Sequence, residues 1–138
     1  MVKVFLTMLL TAASTGAMAG WIKISSTDNT AFYADPDSII KTGNKVKMRA
    51  MHDYKIAAKA ADQAFLSTEV QEEYDCRKKL SRTLYFASYS RNLGKGRKVY
   101  LDADLHQWMP ARPGSARESL WKFACMNQAP GKLPAPRE

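Results

Sequence analysis

The sequence has few of the residues from which catalytic and metal sites are usually built. Its 138 residues include 2 cysteines and 2 histidines. It contains neither a C-x-x-C pair nor a G-x-S-x-G turn, the usual markers of a redox-active thiol pair and of a nucleophilic serine. Paired carboxylates stay open as catalytic groups, but no pattern points to them. The sequence therefore predicts a protein that is not an enzyme and needs no cofactor or metal.

The sequence also lacks a hydrophobic run long enough to span a bilayer as a stable helix. An apolar run at residues 4–10 follows the positive Lys3 and precedes an A-x-A site at residues 17–19. This order is typical of a secretory signal peptide. We predict a signal peptide over residues 1–19, a mature chain beginning at Gly20 with no cysteine for a lipid anchor, and a periplasmic or secreted protein without a membrane span. A buried N-terminal helix is the alternative.

Acidic residues are scarce relative to basic ones. The chain has 21 Lys and Arg residues against 13 Asp and Glu residues, and a formal net charge of +8. Such a protein is drawn to anionic partners, which include acidic glycans, lipid head groups and acidic protein faces. Export makes nucleic acid the least suitable of these, so we predict no nucleic-acid partner. A charge that merely solvates the surface is the alternative.

The two cysteines, Cys76 and Cys125, predict one disulfide bond, because an exported chain enters an oxidising compartment. The bridge would close a loop of about 50 residues, which is worth roughly 4 kcal/mol in the chain-entropy model. Two reactive thiols are the alternative reading of the pair.

Alternating apolar and polar residues predict a series of strands. They cover residues 21–25, 30–34, 46–54, a strand leading to Cys76, 82–90 and 99–106. Residues 35–38 suit a short helical turn with Asp35 as N-cap and Pro36 at its first position. Residues 56–65 are predicted as a loop, and residues 128–138 as a disordered tail after a domain at 20–127.

The last predicted element is a helix that begins after Ser115. Ser115 and Glu118 fit a capping box in which each side chain bonds the other residue's backbone. At 100° per residue the apolar side chains fall on one arc, with Cys125 at its edge and Glu118 on the opposite side. The predicted fold is therefore α+β: an antiparallel sheet with a C-terminal helix that the disulfide attaches to one face.

Several short motifs, in this order, resemble the surface-adhesin protein E family of Gram-negative bacteria. They are Trp21-Ile22, Phe32-Tyr33-x-Asp35-x-x-Ser38-Ile39, Glu73-Tyr74-Asp75-Cys76, Gly94-x-Gly96, Trp108-Met109-Pro110 and Pro113-Gly114-Ser115. The resemblance spans about residues 21–126 and implies an antiparallel sheet whose concave face holds a disulfide-bound helix. The family's named member is an outer-membrane lipoprotein that binds vitronectin and laminin, which implies adhesion to host matrix or serum proteins. The present chain differs from it in having no lipidated cysteine.

Two basic clusters are the predicted binding residues. One comprises Arg77, Lys78, Lys79 and Arg82, and the other comprises Arg91, Lys95, Arg97 and Lys98 around a glycine turn. Cations on such a turn suit sulfate, phosphate or carboxylate groups. We therefore predict a non-enzymatic exported protein that engages an anionic glycan or an extracellular matrix or serum protein through these loops. A solvated hairpin tip is the alternative for the glycine turn.

Two other sites remain as alternatives. Asp102, Asp104 and His106 recur at a spacing of two and could share a divalent metal, although a solvated polar face is the preferred interpretation. The protein could also be a small periplasmic envelope-maintenance or ligand-binding protein. Its site would then be the cleft between the sheet and the helix, near Trp121 or Tyr74.

Overall fold

The computed structural model describes residues 20–126, which form an antiparallel sheet and a C-terminal helix. The elements are β1 (Ile22–Ser26), β2 (Thr30–Thr42), β3 (Lys45–Ala60), β4 (Gln63–Asp75), β5 (Leu80–Tyr89), β6 (Lys98–Asp102), β7 (Met109–Pro110) and α1 (Ala116–Met126). Strands β1 to β6 adjoin in chain order, and β7 pairs with the start of β5. The predicted α+β class is confirmed. The predicted signal peptide and the predicted tail lie outside the described residues. Within residues 20–126 no helix has the length and apolar character of a membrane span.

The core lies between α1 and one face of the sheet, which we call the helix face. The alternation predicted for β3 is confirmed, because Val46, Met48 and Ala50 are fully buried on this face. They pack with Tyr74 of β4 and with two residues of α1, Leu120 and Ala124. The apolar arc of α1 thus covers one end of the helix face.

The predicted disulfide is confirmed and joins the end of β4 to the last turn of α1. Cys76 and Cys125 are bonded, with their Cα atoms 5.6 Å apart. Trp121 adds a polar contact beside the bridge, since its Nε1 donates to the Asp75 carbonyl at 2.9 Å. The helix is therefore held by a covalent bond, a hydrogen bond and apolar packing.

The helical turn predicted at residues 35–38 is wrong, because β2 continues through this segment with a bulge. The β2–β3 register shifts between Asp35 and Ile40. Pro36 has no N–H to donate to the neighbouring strand. The hydroxyl of Ser38 donates to the Asp35 carbonyl at 2.7 Å and accepts from the Arg49 N–H at 2.8 Å, so a side chain completes the ladder here.

The loop predicted at residues 56–65 is also wrong, because these residues extend β3 and β4 into a long hairpin. Ala58 pairs with Phe65, and Ala60 pairs with Gln63. The two turn residues, Ala61 and Asp62, have φ values of 47° and 63°. Two positive φ angles are typical of a type I′ hairpin turn, which usually carries Asn-Gly or Asp-Gly.

The strand predicted at residues 99–106 is shorter than expected and its apolar face is not buried. β6 ends at Asp102, and Leu101 and Leu105 are 53% and 61% exposed. β6 borders only β5 within the described sheet. Leu101 alternates with Tyr100, which lies beside Ser88 on the helix face, so Leu101 lies on the face opposite α1 and the helix does not cover it. Alternation predicted the faces of this strand, but a buried face also needs an element that covers it.

The predicted start of α1 is confirmed in part. Ser115 Oγ accepts from the Glu118 N–H at 3.1 Å, as a capping box requires. The Glu118 side chain instead accepts from the Gly114 N–H at 3.3 Å, and it pairs with Lys79 at 2.6 Å. Glu118 is buried rather than exposed on the solvent side of α1, and its carboxylate is enclosed by Lys79, Lys122 and the Gly114 N–H.

Glu118→Gln should make the protein less sensitive to acid. The ion pair with Lys79, followed by the Gly114 N–H and Lys122, lowers the pKa of Glu118 from 4.5 to about 2. As pH falls below 4.5 the unfolded chain takes up this proton first, so its contribution to stability is lost between these two values. Urea unfolding at a series of pH values should show a smaller loss for the variant over this range. An identical profile for parent and variant would contradict the ion pair.

Candidate functional site

The basic loop, residues 91–98, is folded back onto the face of the sheet opposite α1. Asp53 Oδ1 accepts from the Leu93 N–H at 2.8 Å, and Ser67 Oγ accepts from the Gly94 N–H at 2.9 Å while donating to the Arg91 carbonyl at 2.6 Å. Gly94 has a φ of 70°, and a Cβ there would lie 2.9 Å from the Met51 methyl. A larger residue at Gly94 would be strained by the positive φ and would have to displace the Met51 methyl, so the position favours glycine.

The four predicted cations of the basic loop point into solvent. All are exposed: Arg91, Lys95, Arg97 and Lys98. The ammonium of Lys98 lies 5.9 Å from the ring centre of Tyr89. Within residues 20–126 none of the four forms an ion pair with a carboxylate. Their charge is therefore open to a partner.

The other predicted cluster divides into two pairs. Arg77 and Lys78 are exposed. Lys79 pairs with Glu118 and lies over the Trp121 ring, at 5.6 Å from its centre. Arg82, the last member of the cluster, pairs with the Glu73 carboxylate at 2.7 Å. Its guanidinium also lies over the Trp108 ring, at 4.5 Å from the ring centre. Lys79 and Arg82 thus contribute to the fold.

The two basic clusters lie at opposite ends of β5, so they do not form one surface. One cluster surrounds the start of this strand at Leu80, and the other follows its end at Tyr89. Its 10 residues span about 30 Å at roughly 3.3 Å per residue.

A second candidate site is a cavity on the helix face, beyond the start of α1. One cross-strand row of side chains crosses it, as the strand registers show: Phe32, His52, Thr68, Ser88 and Tyr100. The central side chains, Thr68 and Ser88, are small, and their hydroxyls lie 3.0 Å apart. Larger side chains on either side leave a space of about 450 Å³ above them. We call this space the larger cavity.

The larger cavity adjoins a smaller one of about 200 Å³. The two share His52, Glu72 and Arg117 in their walls. The smaller cavity continues toward the core as far as Tyr74 and Leu120. Of the residues that line the two cavities, only Tyr74 was predicted from the sequence as part of a cleft site. The grouping of the others depends on cross-strand register.

Two buried polar atoms in these walls have no hydrogen-bond partner. They are Glu72 Oε2 and the Tyr74 hydroxyl. Glu72 Oε1 accepts from the Thr83 hydroxyl at 2.7 Å, whereas Oε2 is 3.9 Å from the Arg117 guanidinium. Burial raises the pKa of Glu72, and it raises that of Tyr74 well above its usual range. Unpartnered buried polar atoms are rare in native proteins, which marks this wall as a candidate binding site.

The acidic and histidine residues of β6 and the following segment do not assemble a metal site. Asp102 Oδ1 accepts from the Asp104 N–H at 2.8 Å, and Asp102 Oδ2 lies 3.3 Å from His106 Nε2. Among residues 20–126 no three potential ligands are grouped as a metal ion would require.

The fold and the motifs agree with those of a known protein family. The sequence model of the surface-adhesin protein E family matches residues 21–126. The chain belongs to this family. The resemblance found in the sequence is thereby confirmed, over nearly all of the described residues.

Solved structures of the family have the same fold. Crystal form II of Haemophilus influenzae protein E superposes with a TM-score of 0.66 at 15% identity, covering 80% of this chain and 90% of that one. Another structure of that protein superposes with a TM-score of 0.63 at 14% identity, and the match covers 80% of this chain and 86% of that one. Protein E from non-typeable H. influenzae superposes with a TM-score of 0.59 at 14% identity, and the match covers 81% of this chain and 79% of that one. No curated sequence matches the chain.

Proposed function

We propose that the protein is an exported, non-enzymatic adhesin-like protein that binds an anionic macromolecule through the basic loop. Membership of the surface-adhesin protein E family supports the adhesin-like role. The Cys76–Cys125 bond supports export, because disulfides persist in oxidising compartments. The partner is an acidic glycan or an acidic region of an extracellular matrix or serum protein.

The observation that carries the proposal is a loop with a hydrogen-bonded backbone that displays four exposed cations, none of which pairs with a carboxylate among the described residues. Hydrogen bonds to Asp53 and Ser67 fix the backbone of the basic loop. A surface that is ordered before binding loses little conformational entropy when the partner arrives. Arg77 and Lys78 form a separate exposed pair, whereas Lys79 and Arg82 already have internal partners. We therefore place the main contact on the basic loop.

Replacing Arg91, Lys95, Arg97 and Lys98 with Ser should weaken binding to a heparin-like glycan by about tenfold to a hundredfold at low salt. The estimate takes about 0.5 kcal/mol for each exposed charge contact. Added salt should weaken binding of the parent steeply, because such contacts are screened over about 8 Å at physiological ionic strength. Binding is measured by surface plasmon resonance over a salt series, and the melting temperature should stay nearly constant.

A charge-matched control separates a binding site from general attraction. Replacing four other exposed lysines with Ser removes the same charge from elsewhere on the sheet: Lys23, Lys47, Lys55 and Lys59. The control should retain most of the affinity. Equal losses in the two variants would show that only net charge matters, and parent-like affinity of the basic-loop variant would exclude the loop.

The proposed location has its own test. Fractionation of the native host, followed by protease treatment of intact cells, shows whether the protein reaches the outside. An adhesin must be degraded under these conditions. Full protection in the periplasm would exclude adhesion and favour a role within the envelope.

A further inference from the structure

The cavities on the helix face have the size and lining of a small-molecule site. The volume of the larger cavity, about 450 Å³, lies within the usual range for ligand pockets. Aromatic side chains surround it, with Tyr54 and Phe65 on one side and Phe86 and Tyr100 on the other. The floor between them is polar, formed by hydroxyl side chains. Apolar walls with a few polar groups are typical of sites that orient one ligand.

The polar groups of the smaller cavity determine which hydrogen-bonding groups a ligand must have. Glu72 Oε2 can accept a hydrogen bond and the Tyr74 hydroxyl can donate one, and neither atom has a hydrogen-bond partner among the described residues, although the Arg117 guanidinium lies 3.9 Å from Glu72 Oε2. Both are at least nine-tenths buried and both line the smaller cavity. A secondary amide presents one N–H donor and one carbonyl acceptor, and would satisfy both atoms at once. The smaller cavity therefore suits an amide substituent.

The charges favour a ligand without net charge. Glu72 and Arg117 lie on the same wall with opposite charges. Burial, followed by the nearby Arg117, lowers the pKa of His52 to about 4, so its imidazole is neutral at pH 7. The charges of this wall therefore sum to zero, and a charged ligand would bring a charge that no group of the site compensates, which is costly away from water.

We propose that the two cavities together bind one N-acetylated sugar ring, with the ring among the aromatic side chains and the amide between Glu72 and Tyr74. The hydroxyls of Thr68 and Ser88 face the ring hydroxyls from the floor of the larger cavity. The basic loop is on the opposite face of the sheet, since Asp53 and Ser67 alternate with His52 and Thr68 along their strands. Sugar binding is therefore independent of the proposed anionic partner.

The test is a titration of the folded protein with N-acetylglucosamine, followed by two-dimensional amide NMR. Saturable shifts are expected at Glu72, Ser88 and Arg117, with the basic loop unaffected. Glucose, which lacks the amide, should bind at least about tenfold more weakly, because it leaves the buried groups unpaired. N-methylacetamide alone should also bind more weakly than the sugar. Equal binding by either analogue would overturn the proposal, as would a lack of saturable shifts at these residues.

Two variants and a control connect the binding to the cavities. Glu72→Gln should weaken binding about tenfold or more, because a hydrogen bond to a charged acceptor is lost. Glu69→Gln makes the same change on the same strand, at a residue that pairs with Arg49 on the opposite face, and should leave binding unchanged. Ser88→Leu should fill the larger cavity and abolish binding in a folded protein. Equal affinity of the two glutamine variants, or parent-like binding by Ser88→Leu, would overturn the proposal.

Discussion

Cys125→Ser should destabilise the protein by about 2–5 kcal/mol, the usual cost of losing a native bridge in a small secreted domain. The bond closes a loop with a sequence separation of 49 and joins α1 to the end of β4. Without it the unfolded chain gains freedom, and α1 is held by Leu120, Ala124 and the Trp121 hydrogen bond. Urea unfolding of the oxidised parent and of the variant measures the difference.

The reduced parent is the control for this prediction. It should unfold at nearly the same urea concentration as Cys125→Ser, because both lack only the covalent link. The double variant with Cys76→Ser should not be less stable than the single one, since one bond is lost in either case. A loss of less than about 0.5 kcal/mol would mean that packing alone holds α1 in place.

His52 should make the protein lose stability as pH falls from 6.5 to about 4. Burial and the charge of Arg117 lower the pKa of His52 from 6.5 to about 4, so in this interval the unfolded chain binds the proton and the folded chain does not. The full effect corresponds to about 3 kcal/mol, at 1.36 kcal/mol for each pH unit. Denaturant unfolding between neutral pH and the lower limit measures it.

His52→Gln should remove most of this pH dependence. Glu72 faces the same cavities and acts in the opposite direction, because burial raises its pKa and its protonation favours the folded state as pH falls. The comparison therefore requires the difference between parent and His52→Gln at each pH, which removes the contribution of Glu72. A difference that does not change with pH would contradict an imidazole that stays neutral in the folded protein. An NMR titration of the His52 ring gives the pKa directly.

Sequence patterns correctly predicted the parts of the fold that depend on residues close together in the sequence. The alternation of Val46, Met48 and Ala50 gave the buried face of β3, and Ser115 marked the start of α1. Cys76 and Cys125 gave the link between sheet and helix. These inferences rest on the period of apolar residues, on a helix N-cap and on the number of cysteines. None of them requires knowing which strands are adjacent in the sheet.

The errors arose where sequence signals were weak or ambiguous. Ala61 and Asp62 adopt positive φ angles without the glycine that normally marks such a turn. Asp35 and Pro36 fit a helix start, yet the Ser38 hydroxyl lets the strand continue. Composition located the basic loop as a candidate site. The cavities stayed hidden, because Thr68 and Ser88 become a floor only through the pairing of β4 with β5.

The disulfide also determines how mechanical force enters the domain. A pull on the chain beyond Met126 passes from Cys125 through a covalent bond to Cys76, at the end of β4. This strand is hydrogen-bonded on both sides, to β3 and to β5. Tension is thus spread over the centre of the sheet, and α1 need not resist it by packing. Under flow, a molecule tethered by its C-terminal end would keep its helix docked until the sheet itself began to separate.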